Sequence, residues 1–325
     1  MQAKVISRNG HDGQIIVEEM VGDGGRLSLV ADENCCGIAA RETLKLIAGL
    51  DSGYEEEMAS ESCLAPDLAI SLRCLKGLPL GSGLGSSAAS AAAAAWAVNG
   101  LFGHPLTRRD LVPAGLISEA AVSGYHADNI APALMGGFVL IETYKPKLIL
   151  HQLQTHESIC GNGVGEEGGL WFGLVTPVFE APTREMRAAL PAEISMGEFI
   201  SNSAGAATLC SALITGDYET AGRALGSDIV VEPRRGPLIP GFSNAKEAAV
   251  NSGAYGCTIS GAGPTLVSVS DNKRDSISAV EAMCNALKDF HDIGCAVVCR
   301  ADSEGARDVE EWAVPKGDAL FIHSF

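Results

Sequence analysis

The segment Pro79-Leu80-Gly81-Ser82-Gly83-Leu84-Gly85-Ser86-Ser87-Ala88-Ala89, which runs directly into Ser90 to Val98, constrains this chain more than any other stretch. Glycines at alternate positions admit positive φ and let the backbone approach a ligand that a Cβ would block. A loop of this kind opening a helix gathers free N–H groups and the positive dipole end at one spot. That is an anion cradle. Ser86 and Ser87 add hydroxyls that can cap the helix, bind phosphate or reach a metal. Two familiar loops fail on spacing. No lysine follows Gly85, as a P-loop requires, and G-x-G-x-G replaces the G-x-G-x-x-G of the dinucleotide fingerprint. The alternative is a tight turn before a small-residue helix that packs closely. Gly77 to Pro105 is the only long uncharged stretch, and its Ser/Ala core is too weakly apolar for membrane insertion, so it reads as a buried helix.

The flanking pattern is mixed α and β. Gln14-Ile15-Ile16-Val17 and Arg26-Leu27-Ser28-Leu29-Val30 flank Gly22 to Gly25 and predict a hairpin over 14–30. A helix is expected at 37–48. Alternation of Leu68, Ile70, Leu72 and Cys74 predicts a strand ending at Lys76-Gly77. A helix capped by Thr107 follows over 107–123, then a strand over 136–141. Gly161 to Gly169 reads as a surface loop. Beyond it come a strand at 170–176, helices at 183–189, 197–214 and 217–225, and then helix, strand (255–260), strand (265–270), helix and strand (295–299). At 325 residues, two domains are expected, with a boundary near residue 145. The second half resembles the ferredoxin-like α+β plan.

Charge and cysteine usage narrow the function. With 23 Lys plus Arg against 40 Asp plus Glu, a net charge of −17 disfavours nucleic acid and anionic membrane surfaces as partners. A small anion remains compatible, held by local amides and a few arginines. Ten cysteines without a C-x-x-C pair, several in apolar runs, read as buried reduced thiols in a reducing compartment. Met1 to Met20 has no apolar h-region and is neither a secretory signal nor a basic transit peptide.

Pro79 to Ala89 resembles the nucleotide-binding signature of the GHMP kinases, and Cys257-Thr258-Ile259-Ser260-Gly261-Ala262-Gly263-Pro264-Thr265 resembles that family's carboxyl-terminal glycine motif. Ser123 to Ala133, with His126-Ala127-Asp128-Asn129-Ile130-Ala131-Pro132 at its centre, is similar to the corresponding segment of the homoserine kinases within the family. Ala181-Pro182-Thr183 to Arg187 and Glu232 to Gly236 through Pro240-Gly241 carry the likeness further, and the wording is most like the plant form. The resemblance implies an α+β, two-domain GHMP kinase fold. Residues 1–145 would form an N-terminal ATP-binding α/β domain, 146–307 a C-terminal ferredoxin-like α+β domain, and 308–325 a tail.

It also implies an ATP-dependent kinase that phosphorylates L-homoserine in threonine biosynthesis. The alternatives are a GHMP kinase of another small alcohol, or a catalytically inactive nucleotide-binding protein. ATP would lie on Pro79, Leu80, Gly81, Ser82, Gly83, Leu84, Gly85, Ser86, Ser87, Ala88 and Ala89, with Gly261 and Gly263 beside them. Asn34 resembles an adenine contact, against the plainer reading of a helix cap. His126 and Asn129 would line the amino-alcohol pocket, with Asn129 aiming the hydroxyl at the γ-phosphate. Arg187 and Arg235 would hold the α-carboxylate, a task suited to the rigid guanidinium fork. Mg²⁺ is the implied cofactor, held by Glu119 and Ser87, with Glu119 counted among the catalytic residues. No Lys or Asp stands out as a base, which agrees with phosphoryl transfer by positioning and charge stabilisation. ATP and L-homoserine are the implied partners, a homodimer is allowed, and the plant likeness implies a plastid stroma.

One departure carries its own expectation. The family's opening Pro-x-x-x-Asn-Leu-Gly-Pro-Gly-Phe-Asp segment has no counterpart before Gln14. The 14–30 hairpin is therefore expected to show an unpaired sheet edge, and the 325-residue chain to aggregate with little activity until such a segment is restored.

Overall fold

The computed structural model describes residues 1–7, 14–51, 68–122, 124–160, 168–179, 186, 188–310 and 320–324. The chain divides into two compact units. The first comprises Met1–Leu80, Gly85–Gln152 and Glu304–Pro315, and the second Gly81–Leu84, Leu153–Ser303 and Lys316–Phe325.

In the first unit, β1 (Gln2–Ser7), β2 (Ile15–Val21) and β3 (Leu68–Leu75) form a sheet in the order β1-β3-β2. β1 runs antiparallel to β3 and β2 parallel to it. The alternation read at 68–75 places Ile70, Leu72 and Cys74 in the core, against α1 (Cys35–Asp51) and α2 (Ser86–Leu101). On α2 Ala88, Ala91, Ala92, Ala94, Ala95 and Val98 are buried, and these short side chains let α1 and α2 approach closely. α3 (Val112–Val122) and α4 (Ile130–Met135) complete the core. They meet so tightly that a Cβ on Gly115 would strike the Ile130 side chain. A two-stranded ribbon of β4 (Val139–Thr143) and β5 (Ile149–Gln152) closes the unit. Among the described residues no helix is long and apolar enough to cross a membrane.

Local chemistry overturns two expectations here. Arg26–Val30 is not a strand, so there is no 14–30 hairpin and β2 pairs with β3 instead. The cause is Asp23, whose carboxylate accepts from Gly25 N (3.1 Å) and Leu27 N (3.1 Å) and folds those amides inward, away from any ladder. Those two bonds also hold the Asp23 carboxyl below its usual pKa. The helix expected from Thr107 begins at Val112. Thr107 and Asp110 first close a turn on each other, with Thr107 Oγ1 donating to Asp110 Oδ2 at 2.6 Å.

The second unit is built on β6 (Gly168–Pro177), followed by α5 (Met196–Thr215), α6 (Tyr218–Leu225), α7 (Glu232–Arg235) and α8 (Phe242–Asn251). Then come β7 (Gly256–Ile259), β8 (Leu266–Asn272), α9 (Lys273–Leu287) and β9 (Ile293–Cys299). The antiparallel order β9-β6-β8-β7 is the ferredoxin-like arrangement. Residues read as a tail supply β10 (Leu320–Ser324), which extends the sheet beside β9. Val280, Met283, Cys284 and Leu287 of α9 are fully or nearly fully buried against the sheet. Gly168 and Gly169 open β6 rather than ending a loop, and the rest of the loop expected at 161–169 lies outside the described residues. So does nearly all of the helix expected at 183–189.

The α5 start follows from its sequence. Ser195 Oγ accepts from Glu198 N while Glu198 Oε2 accepts from Ser195 N, a capping box. That backbone bond, then Arg234, brings the Glu198 carboxyl down to about 2. Where α6 crosses β7, the backbones touch, and a Cβ on Gly256 would run into the Gly222 carbonyl. Gly256→Ala should therefore destabilise the chain by about 1–3 kcal/mol through overpacking, read as a lower urea midpoint. An unchanged midpoint would show that the crossing is loose.

Candidate functional site

The glycine segment is shared between the two units, and each part is held by its own neighbours. Gly81, Gly83 and Gly85 all have positive φ, at 65°, 82° and 69°. In the second unit, Gly81–Leu84 lies against the turn between β7 and β8. Thr265 N donates to Ser82 O at 3.1 Å, and Ser260 Oγ donates to Gly83 O at 3.0 Å. A Cβ on Gly83 would collide with the Ser260 carbonyl and come within 2.9 Å of Gly263 N and O. Sequence reasoning held that glycine is needed so that a ligand can approach Gly83. The structure gives a different reason, because protein backbone already fills that side. Gly261 and Gly263, both at positive φ, belong to this same cluster.

In the first unit, Gly85 begins α2 in the left-handed conformation with no side-chain cap, and Ala89 N closes the first turn on Gly85 O. The leading N–H groups of α2 therefore have no side-chain acceptor at the cap position. The two serines behave differently. Ser86 Oγ donates to Leu78 O at 3.0 Å, whereas Ser87 Oγ is buried without a hydrogen-bond partner. A buried orphaned hydroxyl costs about 1–3 kcal/mol unless something binds it. Beneath this turn lies a residue that sequence reasoning treated only as a strand end. Lys76 Nζ, 9% exposed as a residue, donates to Ser86 O (3.1 Å) and Ser90 Oγ (2.7 Å). A lysine between a buried strand and a glycine loop was the available signal. Its ammonium, after the Cys36 thiol, helps draw the Cys74 thiol down to about 6.

Asn129 is exposed at the N-terminal end of α4, and its Oδ1 would sit 3.2 Å from a Cβ placed on Gly85. The expected pocket residue thus stands beside the opening of α2. His126, also exposed, follows a tight turn in which its N–H donates to Gly124 O at 2.8 Å. Ala127 N donates to Tyr144 Oη at 3.1 Å, so this segment is fixed from just past the end of β4 by a tyrosine the sequence reading did not single out. Glu119 is on α3 and only 3% exposed. Its neighbour Ser118 donates to Cys35 O, joining α3 to the start of α1.

Two expected residues have other engagements. Asn34 is buried, with Oδ1 accepting from Cys36 N (2.9 Å) and Nδ2 donating to Ser28 O (2.6 Å). The helix-cap reading is the one seen. Arg235 donates Nε to Met186 O (2.9 Å) and Nη1 to Gly261 O (3.4 Å), which puts it at the second glycine loop. Its neighbour Arg234 pairs with Glu198 at 2.9 Å. Arg187 lies outside the described residues. Nine cysteines are free among the described residues, and no three or more of the His, Cys, Asp and Glu side chains there group around one metal position.

The "GHMP kinases N terminal domain" matches residues 54–137 and the "GHMP kinases C terminal" domain matches 209–289. The chain is 49% identical to a homoserine kinase of Arabidopsis thaliana over 296 residues, covering 91% of this chain and 73% of that protein. It is 37% identical to a homoserine kinase of Chlorobium phaeovibrioides over 93% of this chain and 88% of the relative. The crystal structure of homoserine kinase from Cytophaga hutchinsonii superposes with a TM-score of 0.77 at 30% identity, covering 93% of this chain and 86% of that one. With both domain types present and 49% identity to a plant enzyme over 91% of this chain, the chain belongs to the homoserine kinase family of the GHMP kinases.

Proposed function

We propose that this chain transfers the γ-phosphoryl group of ATP to the side-chain hydroxyl of L-homoserine, forming O-phospho-L-homoserine on the route to threonine. Family membership supports the reaction. The observation that carries the site is the left-handed, uncapped start of α2 at Gly85 with the Asn129 side chain beside it. The α2 amides and dipole favour the phosphates, and the buried Lys76 ammonium adds positive charge beneath them. Asn129 orients the homoserine hydroxyl for in-line attack. Arg235 holds the α-carboxylate, with Arg187 as its second partner, and His126 lines the pocket. Positioning of this kind supplies much of the rate enhancement where the transition state is loose.

Mg²⁺ fits this arrangement. The orphaned Ser87 hydroxyl and the buried Glu119 carboxylate are oxygen ligands of the type the ion prefers. When bound, it would neutralise phosphate charge.

The direct test is ADP release by purified chain with ATP and L-homoserine, with mevalonate and galactose as controls and the product identified by phosphorus NMR. Homoserine-dependent release is expected. Turnover on another alcohol alone, or ATP binding without transfer to any of them, overturns the assignment. Asn129→Ala should lower kcat about 10²–10³-fold with ATP affinity retained. An unaltered kcat would remove Asn129 from the reaction. Gly83→Val should abolish ATP binding because the side chain displaces Gly81–Leu84 from Ser260 and Gly263; normal ATP affinity would show that this contact is dispensable. Arg235→Ala should raise the homoserine KM about 10- to 100-fold, the loss of one charge-assisted bond. A rise in the ATP KM instead would assign Arg235 to the support of Gly261.

A further inference from the structure

In the first unit, three elements bring two free thiols to one residue. Ser90 lies on α2; its carbonyl accepts from Cys36 Sγ of α1 at 3.7 Å, and its Oγ is 4.0 Å from Cys74 Sγ of β3. The same Oγ accepts from the Lys76 ammonium at 2.7 Å. Cys36, Cys74 and Ser90 are all buried.

A buried reduced cysteine ordinarily acts as a small hydrophobe. Two observations set Cys74 apart. First, a half-open cleft of about 70 Å³ reaches it, lined also by Lys76, Ser86, Ser90 and Ala93. Since a water takes about 30 Å³ of liquid, the cleft admits a molecule of two or three heavy atoms and excludes a bulky one. Second, the surroundings favour its charged form: the Cys36 thiol and then the Lys76 ammonium, working against burial, bring Cys74 down to about 6. Burial instead pushes Cys257 up to about 12, and Cys284 and Cys299 up to about 11. The thiolate is the nucleophile, so at neutral pH thiol chemistry favours Cys74 over those three. Cys36 is its complement. Cys35, then Cys74 and burial, raise Cys36 well above the usual thiol range, so it stays protonated beside its neighbour.

The geometry points to Cys74 as a site of oxidation by hydrogen peroxide, with Cys36 as the thiol that resolves the product into a disulfide between β3 and α1. In the first step the Cys74 sulfur attacks one peroxide oxygen. The S–O bond forms, the O–O bond breaks, and hydroxide leaves and takes up a proton to become water. The Lys76 ammonium on the cleft wall meets the charge of that departing hydroxide. Cys74 is then a sulfenic acid. In the second step Cys36 gives up its proton and its sulfur attacks the Cys74 sulfur. The S–S bond forms, the S–OH bond breaks and a second water leaves. Two thiols and one peroxide thus become one disulfide and two waters, with two electrons passing from sulfur to oxygen. Both sulfurs already lie against Ser90, so a short side-chain movement brings them together.

Peptide mapping of the full chain tests this. The reduced protein is treated with one equivalent of hydrogen peroxide near pH 7, digested with trypsin and read by tandem mass spectrometry. Trypsin cuts after Arg73 and Lys76, so Cys74 leaves on Cys74-Leu75-Lys76, and Cys36 leaves on Leu27–Arg41. These two peptides are expected to be joined at Cys36, and dithiothreitol should release them. In Cys36→Ser the link should vanish and dimedone should trap a sulfenic acid on Cys74, at least about 10-fold faster than on Cys257, Cys284 or Cys299. In Cys74→Ser, Cys36 should stay reduced. Circular dichroism checks the fold of both variants, and the wild-type map decides the matter if either fails to fold. Cys74 left reduced while other cysteines oxidise overturns the proposal. So does a link from Cys74 to Cys35 in place of Cys36, or a folded Cys36→Ser chain in which dimedone leaves Cys74 unlabelled.

Discussion

Backbone against backbone at Gly83 is the constraint on which the candidate site rests. Thr265 N to Ser82 O and Ser260 Oγ to Gly83 O are two ordinary hydrogen bonds, each worth about 1 kcal/mol net. Their importance is positional. They fix residues 81–84 against the turn between β7 and β8, and glycine is the residue that fits there, since a Cβ would enter the Ser260 carbonyl. Two residues later Gly85, again at positive φ, releases the chain into α2. The loop is thus pre-formed by protein contacts before any ligand arrives, and the ordering entropy of a flexible loop need not be met at binding.

A second group of contacts prepares the chemistry. Lys76, Ser86 and Ser90 form a buried polar chain under the first turn of α2, with hydrogen bonds of 3.1, 2.7 and 3.0 Å and the ammonium donating twice. Ser86 is committed to Leu78 O, which leaves Ser87 as the hydroxyl with unmet capacity. Tyr144 holds Ala127 in place, and the exposed His126 and Asn129 flank that anchored residue. Rigid support and exposed polar tips together are what a site needs if its rate comes from positioning rather than from a strong base.

Much of this was legible in the sequence where one local rule dominates. The strand at Leu68–Leu75 followed from alternation, and the helix after Gly85 from its glycine opening and Ser/Ala run. The ferredoxin-like order followed from the run of strands and helices after residue 243. Expectations failed where one side chain redirected the backbone. Asp23 bent 23–27 away from a ladder, and the Thr107–Asp110 pair delayed α3 to Val112. Long-range partners were the least legible. That Gly83 faces Gly263, that Lys76 reaches Ser90, and that Asn34 joins Ser28 to Cys36 depend on tertiary packing that spacing does not encode.

The central claim is that residues 81–84 and 260–265, far apart in sequence, pack as one pre-formed backbone cluster on which the proposed ATP site rests. Amide hydrogen exchange of the full chain, with and without a non-hydrolysable ATP analogue, tests it most directly. The account predicts measurable protection of both segments without the analogue, and a further rise in protection at both when the analogue binds, together with the 126–130 segment when homoserine is added. Binding of the analogue with exchange unchanged in 81–84 and 260–265 would contradict it.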